Sequence, residues 1–466
     1  MPTRPHRLRY NSGMRPQSVA AGGDSAPFLS VVIPVYNGGA AFRVCLERIS
    51  SSATEKIELI VVDDGSTDDS AALAREFGAL VLSTGGRRGP AMARNLGAGR
   101  ARGDVLLFLD ADVAVHPDTL ASVATAFEGE PELDALIGSY DDAPASPDFL
   151  SQYKNLMHHF VHQVAREQAC TFWSGCGAIR RELFLRHAGF DESYQRPAIE
   201  DIELGYRLQQ AGCRVVLDHE IQVKHLKRWT LASLLESDVL DRGVPWTELI
   251  LRDRHMPNDL NLEISQRVSV ALVFLLVAMA AAAAIVWRGY FLVPIFALLF
   301  FFLGRYWVEG SADVDSRWSK PFMLSSAALL VALAYAYEMP GLIPPLLLAC
   351  LLLLMRHRYA IPWGWRRRAV SACFIAIMAG SLITSLIYLP AHFLVFSVVA
   401  TTIVVVVLNN QFYLFLAAKR GRQFALAAIP FHLLFFFYCG ISFVVGSVRY
   451  GWRTFAGRRF AGRRRA

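Results

Sequence analysis

Cysteine is scarce in this chain of 466 residues. There are seven cysteines, an odd number, and they are scattered along the sequence. No two of them have the spacing of a zinc-ligand pair, and nothing in their distribution resembles a disulfide framework. This use of cysteine favours a protein of a reducing compartment.

The N-terminal segment lacks an apolar centre. Residues 1–27 are basic and contain proline and glycine, so we expect a disordered tail and no cleavable secretion signal. A dinucleotide-binding fingerprint is also missing. Gly97, Gly99 and Gly103 have the wrong spacing and precede a predicted strand instead of following one, which excludes that class of α/β domain.

Charge is almost absent from long stretches after Arg267, and residues 269–287 have none. About 20 apolar residues span a bilayer as a helix. Core helices of a soluble protein are the alternative, but uncharged runs of this length favour membrane spans. The apolar runs are residues 268–287, 290–303, 322–337, 341–355, 370–389, 392–408 and 425–445. We therefore predict an integral membrane protein, in the inner (plasma) membrane of a bacterium.

Basic loops predict the orientation, because arginine and lysine in short loops favour the cytoplasmic side. Residues 356–368 contain five arginines, and Lys419, Arg420 and Arg422 form a second basic loop. Seven crossings would place the arginines of the C-terminal tail outside. We therefore predict about six transmembrane helices within residues 268–446, with the final apolar segment or one of the two short ones re-entrant or interfacial. Residues 447–466 are then a basic cytoplasmic tail.

The formal net charge is +7, and the C-terminal arginines contribute much of it. A basic run beside a membrane segment is normally drawn to anionic headgroups. No nucleic-acid-binding module accompanies it. We expect membrane lipids as the partner of this tail, and no nucleic acid.

The half of the chain before Arg267 alternates strands with alanine-rich helical stretches. Strands are predicted at residues 30–36, 57–63, 79–83, 105–110 and 135–140. This alternation predicts an α/β domain with a Rossmann-like, mostly parallel sheet. Asp110 and Asp112 follow the fourth strand. Ligands collect at the carboxyl ends of such strands, and carboxylates there suit Mg²⁺ or Mn²⁺.

Four motifs in order resemble the signature of family 2 glycosyltransferases. They read SVVIPVYN at residues 30–37, VDDGSTD at 62–68, GPAMARNLG at 89–97 and FLDAD at 108–112. The resemblance covers residues 28–230. It implies an inverting transferase of the GT-A fold that uses a UDP- or GDP-linked sugar and Mg²⁺ or Mn²⁺, followed here by an all-α transmembrane domain.

The resemblance also implies roles for individual residues. Asp64 can accept the base N–H of uracil or guanine, although Asp-Gly-Ser is also ordinary turn chemistry. Arg94 can pair with phosphate or organise Asp64, and a surface arginine is the alternative. Asp110 and Asp112 are the implied metal ligands. The implied nucleotide-sugar contacts are Pro34, Tyr36, Asn37, Asp64, Arg94, Asp110 and Arg228.

A second acidic cluster stands at Glu200 and Asp201, before a helical stretch. Inversion needs a base that takes the proton of the acceptor hydroxyl as it attacks in line. By similarity to the family's Glu-Asp motif, Asp201 is the implied base and Glu200 lies on the acceptor side. The alternative is capping of a helix N-terminus by acidic side chains.

The segment FWSGCGA at residues 172–178 resembles the acceptor-side loop of the family, in the form found in membrane polysaccharide synthases. Its small residues would let a sugar approach the backbone closely. Trp173, Ser174, Gly175 and Cys176 are therefore predicted to contact the acceptor. Cys176 has no neighbouring base in the sequence, so we expect it to serve packing and not as a nucleophile.

Processive synthases carry Gln-x-x-Arg-Trp where this chain has His225, Arg228 and Trp229. The resemblance implies that Arg228 contacts the diphosphate and Trp229 stacks on the acceptor sugar. The histidine puts processivity in doubt. An interfacial amphipathic helix anchored by Trp229 is the alternative, and residues 231–267 are predicted to lie along the bilayer surface.

These observations predict a membrane-bound glycosyltransferase that acts at the cytoplasmic face on a lipid-linked or glycan acceptor. A processive enzyme that extends and secretes a polysaccharide is the first alternative. A non-catalytic nucleotide-sugar-binding transporter is the second. The carboxylates expected for metal binding and catalysis are all present, which speaks against the transporter.

Overall fold

A computed structural model describes residues 27–52, 57–286 and 392–463. The predicted N-terminal tail, the predicted spans between residues 290 and 389 and the arginine loop at 356–368 lie outside the described residues.

The strands are β1 Leu29–Val35, β2 Ile57–Asp63, β3 Leu80–Ser83, β4 Val105–Leu109, β5 Val113–Val115, β6 Ala135–Tyr140, β7 Cys176–Arg180 and β8 Val215–His225. The first helices are α1 Gly39–Ser52, α2 Ser70–Glu76, α3 Pro90–Arg100, α4 Thr119–Gly129, α5 Phe149–Val164, α6 Arg181–Arg186 and α7 Glu200–Gln210. Next come α8 Leu231–Leu235, a π-helix Glu236–Gly243, α9 Val244–Asp253 and a 3₁₀ turn Leu260–Leu262. The last are α10 Ile264–Val286, α11 His392–Leu408, α12 Asn410–Arg420 and α13 Arg422–Arg463.

One mixed sheet forms the centre of the first domain, with the strand order β3-β2-β1-β4-β7-β6-β8-β5. β3, β2, β1 and β4 are mutually parallel, as are β6 and β8. The remaining neighbours pair antiparallel. The parallel half is a Rossmann-like array, whose chain crosses over through α1, α2 and α3. The predicted α/β domain is confirmed, with a mixed sheet of the GT-A type.

The sequence explains why these strands lie inside the domain. β1 and β4 are almost continuous apolar runs, and every residue of β4 is buried, which is usual for strands covered by helices on both faces. Phe108 of β4 packs against Phe172, Phe184 and Phe190. These four rings fix β4 and therefore the position of the two aspartates that follow it.

Apolar helices follow the first domain. Residues Ile264–Ala283 of α10 and Arg422–Phe455 of α13 are long and apolar enough to cross a membrane. α11 and α12 meet at a bend of 69° and could form a third span if the pair is counted as one. A second hydrophobic core joins α5 of the first domain to α12 and α13, through side chains such as Tyr153, Trp229 and Phe436.

Candidate active site

Asp110 and Asp112 lie in the tight turn between β4 and β5. The backbone N–H of Val113 donates to the carbonyl of Asp110 at 3.1 Å and closes this turn. About a third of each aspartate side chain is exposed. Both carboxylates can therefore reach a ligand at the carboxyl end of the sheet, as the sequence predicts.

Arg94 connects the two acidic motifs of the sequence. Its Nη2 donates to Asp110 Oδ1 at 2.6 Å, and its Nη1 donates to Glu200 Oε1 at 2.8 Å. Arg94 and Glu200 are buried. Burial lowers the pKa of Arg94, but the charges of Asp110, Glu200 and Asp201 outweigh this effect and raise it. The guanidinium thus stays charged and holds both acidic segments at one place, and its two terminal nitrogens do not bond Asp64.

Glu200 and Asp201 begin α7, where the helix dipole favours negative charge. Burial raises the pKa of Glu200, Arg94 opposes this effect and Asp201 adds to it, so the pKa lies above its ordinary value. Asp201 Oδ2 accepts from the backbone N–H of Ser174 at 3.0 Å and from its hydroxyl at 3.1 Å. The structure therefore brings the predicted acceptor loop to the predicted base.

Trp173, Gly175 and Cys176 are placed around that contact. Trp173 is buried and packs edge-on against Tyr140. Gly175 faces the indole of Trp173, where an added Cβ would lie only 2.5 Å from a ring carbon. Cys176 is the first residue of β7 and pairs with Leu109. Burial raises the pKa of its thiol to about 12, which fits a packing role.

Asp64 is the first residue after β2, and it is buried in a set of hydrogen bonds. Its two carboxylate oxygens accept from the backbone N–H groups of Arg88 and Gly89 at 2.8 and 2.9 Å, and Oδ1 also accepts from the Thr84 hydroxyl. Gly89 has φ +98°, and an added Cβ there would meet the Gln195 carbonyl at 2.6 Å. The loop before α3 is thereby tied to Asp64.

The tips of β1 and β2 are joined next to Asp64. Asn37 donates its backbone N–H to the Ser66 hydroxyl at 3.0 Å, and its side-chain oxygen accepts from Thr67 N–H at 2.7 Å. Tyr36 is exposed, with the guanidinium carbon of Arg87 4.3 Å from the ring centroid. Pro34 is half-buried in β1. Pro34, Tyr36, Asn37 and Asp64 therefore line one edge of the sheet.

His225, at the end of β8, faces Asp112. Its Nε2 lies 3.6 Å from Asp112 Oδ2, while its Nδ1 donates to Asn155 Oδ1 at 2.6 Å. The imidazole stacks on Tyr140 with 4.2 Å between ring centroids. Burial acts to raise the pKa of Asp112, but His225 and Lys227 outweigh it and lower the pKa. Tyr140 and Asn155 are site residues that the sequence motifs do not reveal.

Arg228 and Trp229 point in different directions from this cluster. The Arg228 side chain is 78% exposed, and its Nε lies 3.7 Å from Asp148 Oδ2. Trp229 is buried, donates its indole N–H to Asn155 Oδ1 at 3.3 Å and lies under the Lys227 ammonium at 4.2 Å. The structure thus separates the exposed guanidinium from the buried indole.

The donor set at the end of β4 fits a divalent cation that shares its ligands with a diphosphate. Among the described residues, no three His, Cys, Asp or Glu side chains converge as a metal-binding group. Asp110 and Asp112 supply carboxylate oxygens, and His225 lies beside them. Mg²⁺ is usually held by one or two carboxylates together with substrate phosphates and water.

The mixed sheet and the acidic residues at its edge define a GT-A-type domain. Residues 30–187 match the family described as Glycosyl transferase family 2. The chain therefore carries a family 2 glycosyltransferase domain, and the predicted family is confirmed. The matched residues include Asp64, Arg94, Asp110 and Asp112, whereas Asp201 lies beyond them.

The curated relatives of this chain include two bacterial glycosyltransferases. A validoxylamine A glucosyltransferase of Streptomyces hygroscopicus subsp. limoneus is 28% identical over 260 residues, which are 47% of this chain and 55% of the relative. Glycosyltransferase GlyG of Streptococcus pneumoniae is 33% identical over 162 residues, 34% of this chain and 54% of the relative. The chain thus spans about half the length of these relatives.

One solved structure with a similar fold is a mannosyltransferase from Pyrobaculum calidifontis in complex with GDP-mannose and Mn²⁺. It is 20% identical in sequence, and the match covers 67% of this chain and 90% of that chain with a TM-score of 0.46.

Proposed function

We propose that this protein is a membrane-bound inverting glycosyltransferase that moves one sugar from a UDP- or GDP-linked donor to a lipid-linked or glycan acceptor. The observation that carries the proposal is the ion-pair chain from Asp110 through Arg94 to Glu200. It holds the candidate metal ligands beside the candidate base Asp201. Both relatives described above are named glycosyltransferases, which supports sugar transfer.

Asp201 is the proposed general base. Its carboxylate takes the proton of the acceptor hydroxyl while that oxygen forms a bond to the anomeric carbon. The bond from the anomeric carbon to the donor phosphate breaks on the opposite side, and its electron pair leaves with the nucleoside diphosphate. Ser174 supports this role because its N–H and hydroxyl orient the carboxylate.

Asp110 and Asp112 are the proposed ligands of Mg²⁺ or Mn²⁺. A cation held there supplies positive charge that stabilises the departing diphosphate. Arg94 keeps Asp110 in place. The Asp112 carboxylate is about a third exposed and its Oδ2 lies 3.6 Å from His225 Nε2, which supports the same assignment.

The base and ribose of the donor are proposed to lie over the tips of β1 and β2. Asp64 keeps lone pairs for a base N–H beside the three hydrogen bonds it already accepts. Tyr36 and Asn37 flank the same edge, with Pro34 shaping its floor. Arg228 stays a proposed diphosphate contact, which its long exposed side chain could make after turning from Asp148.

The acceptor is proposed to enter along Trp173, Ser174, Gly175 and Cys176, with Glu200 behind Asp201. Trp229 is buried against Asn155, so an acceptor sugar could stack on it only after it moved. This burial favours transfer of a single sugar over processive synthesis. The neighbouring apolar helices favour an acceptor held in or at the membrane.

The catalytic domain is proposed to lie on the cytoplasmic side. Lys419 pairs with Asp142, and Arg420 donates to Gln152 Oε1 at 2.6 Å. The basic loop therefore shares a side with the catalytic domain, and basic loops favour the cytoplasm.

Release of nucleoside diphosphate tests the proposed function. The full chain, purified in lipid with Mg²⁺ or Mn²⁺, is supplied with UDP- and GDP-sugars and a bacterial lipid extract. We expect metal-dependent release from one donor, with loss of release in Asp201→Asn and Asp112→Ala. No release from any donor by a folded protein would contradict the proposal.

A further inference from the structure

Along most of its length, α13 contacts the catalytic domain and the segment that follows that domain, residues 231–267. Phe424 and Phe431, near its beginning, pack against Phe149 of α5 with ring centroids 4.7 and 5.2 Å apart. About 16 Å beyond Phe431 along the helix, Ser442 packs so closely on Gly243 that a Cβ added to the glycine would lie 2.6 Å from the serine Cβ. α13 thus follows the first domain instead of pointing away from it.

The far part of α13 forms ion pairs with α9. Glu248 Oε1 lies 2.9 Å from Arg449 Nε, and Glu248 Oε2 accepts from Arg453 Nη1 at 2.7 Å. Charged groups are costly in the hydrocarbon of a bilayer. These three side chains therefore mark a position in the polar region, at the end of the apolar part of α13.

α9 is itself held by the catalytic domain. Leu249 packs in a small core with Ile199 and Tyr206. Trp246 donates its indole N–H to the Tyr206 hydroxyl at 3.0 Å. Because Tyr206 belongs to α7, which begins with the catalytic acids, Glu248 lies on the side of the catalytic domain.

The near end of α13 lies on that side too. Arg420, two residues before α13 begins, donates to Gln152 Oε1 at 2.6 Å and to the Asp142 carbonyl at 2.9 Å. Both ends of the apolar helix are therefore attached to the catalytic domain.

Two faces distinguish the second half of α13. Tyr438, Ser442 and Gly446 face the π-helix and α9, which follow the catalytic domain in the sequence. The other face exposes apolar side chains at helical spacing, namely Ile441, Val444, Val445, Val448 and Trp452. Val448 and Trp452 are 68% and 73% exposed.

We propose that α13 lies along the membrane surface and does not cross it. Its outer face, Ile441 to Trp452, would sit at the boundary between headgroups and acyl chains of a bilayer that contains anionic phospholipid. The arginines that follow, at positions 458, 459 and 463–465, match the charge of such a surface. This inference rests on the proposed membrane location and not on the proposed sugar transfer.

A contact between the start of α10 and the end of α11 supports this arrangement. Asn409 donates to the Ser269 hydroxyl at 2.8 Å and accepts from Gln266 at 3.1 Å. Since α10 leaves the catalytic domain at residue 264, the chain has returned to the same side by residue 409. α13, which begins at Arg422, therefore starts on the catalytic side.

The side of the C terminus is the first measurement. The full chain carries one epitope tag before residue 1 and another after residue 466, and antibodies are applied to sealed inverted and right-side-out vesicles from the expressing cells. We expect both tags to be reached in the same vesicles. Reaching them in opposite vesicles would overturn the proposal.

The depth of α13 is the second measurement. Nitroxide labels are placed one at a time at residues 441, 444, 448 and 452, in vesicles of phosphatidylethanolamine and phosphatidylglycerol. Collision rates with oxygen and with a water-soluble nickel complex then report each label's depth. We expect all four labels at one shallow depth, although they span about 16 Å of helix.

Matched labels at Ala271, Val277 and Ala281, exposed positions of α10, provide the comparison. Their depth should change steadily by about 1.5 Å per residue for an upright helix. A steady change through the bilayer centre in α13 would overturn the proposal. The proposal would also be overturned if labels at residues 441–452 collided with the nickel complex as often as a label at the exposed Glu220 does. α13 would then face water and not lipid.

Discussion

Arg94 and Glu200, 106 positions apart in the sequence, form a buried ion pair of 2.8 Å at the centre of the site. The same guanidinium holds Asp110 at 2.6 Å. The two acidic motifs belong to different elements, because Asp110 lies in the turn after β4 and Glu200 begins α7. Arg94 therefore sets the distance between the candidate metal ligands and the candidate base.

Replacing Arg94 should cost both stability and activity. Arg94→Ala leaves the buried Glu200 without its counter-charge, and breaking a buried pair in this way costs about 3 kcal/mol. We expect a clearly lower melting temperature in detergent and loss of diphosphate release. Arg214→Ala is the matched control, since its pair with Glu130 is half exposed and such pairs contribute about 0–1 kcal/mol. Equal losses in the two variants would contradict the central role of Arg94.

Asp201→Asn should remove the base while leaving donor binding intact. The amide oxygen can still accept from Ser174, but it cannot take a proton at neutral pH. General-base catalysis contributes roughly a hundred- to ten-thousand-fold, so kcat should fall by about a thousand-fold. Steady-state release assays give kcat and the donor KM, and KM should change little.

Glu220→Gln, an exposed change on β8, controls for loss of a carboxylate in general. A fall in donor affinity equal to the fall in kcat for Asp201→Asn would indicate that Asp201 binds the donor instead of acting on the acceptor.

Lys227 is a second candidate contact for the diphosphate, next to the proposed contact Arg228, and substitutions can distinguish the two. Lys227 lies against Trp229 and lowers the pKa of Asp112, whereas Arg228 is exposed and faces Asp148. We expect Lys227→Ala to raise the donor KM about ten-fold, the loss of one charge-assisted contact. Arg228→Ala should raise it less. A larger effect of Arg228→Ala would support the role that the sequence motif implies for that arginine.

Acid should destabilise the catalytic domain through His162. Burial lowers the pKa of His162 to about 4, below its ordinary value of about 6.5. The unfolded chain then binds a proton more readily than the folded one. His162 therefore contributes its full share of the free energy of unfolding above pH 6.5. As the pH falls toward 4, that contribution is lost, and the free energy of unfolding decreases by about 3 kcal/mol.

Melting temperatures between pH 7 and pH 4 measure this loss. His162→Asn keeps an N–H near the Gly138 carbonyl, which lies 3.3 Å from Nδ1 in the native protein, but it does not titrate. It should show a shallower decline over that range, while His187→Gln, a change near the surface, should follow the native profile. A native-like slope in His162→Asn would show that another group causes the acid sensitivity.

The sequence predicts the first half of the domain well because its strands are continuous apolar runs that end in polar turns. β1, β2 and β4 begin and end within one residue of the predicted bounds. β5 and β7 are not predicted, since β5 has three residues and β7 begins within a small-residue segment. Their strand character comes from pairing with distant partners, which no local pattern contains.

The same limit applies to the site. Asp110, Asp112 and Asp201 are identified by their motifs, and in the structure Arg94 joins Asp110 to Glu200, the neighbour of Asp201. The approach of His225 to Asp112 depends on the register of β8 against β5, in which Val113 pairs with His225. Trp229 belongs to the hydrophobic core that α5 shares with α12 and α13. Long-range pairing and packing decide both positions, so the sequence alone could not place them.

Asp238 should couple the catalytic domain to α13. Its carboxylate accepts from Lys154 Nζ at 2.7 and 2.6 Å and from the Tyr438 hydroxyl at 2.6 Å. Burial acts to raise the pKa of Asp238, but Lys154 and Tyr438 outweigh it and lower the pKa. The carboxylate is thus charged at neutral pH and joins α5, the π-helix and α13 in one buried contact.

Tyr438→Phe should remove one hydrogen bond to a charged acceptor, a loss of about 1.5–3 kcal/mol. Asp238→Asn should cost more, because it leaves the buried Lys154 ammonium without its counter-charge. In the double variant the two losses should not add, since both act on the same carboxylate. Val448→Ala, an exposed change on α13, should leave the melting temperature in detergent nearly unchanged. If the losses of stability in the two single variants added fully in the double variant, Tyr438 would stabilise α13 independently of Asp238. The catalytic domain would then be joined to this helix by packing alone.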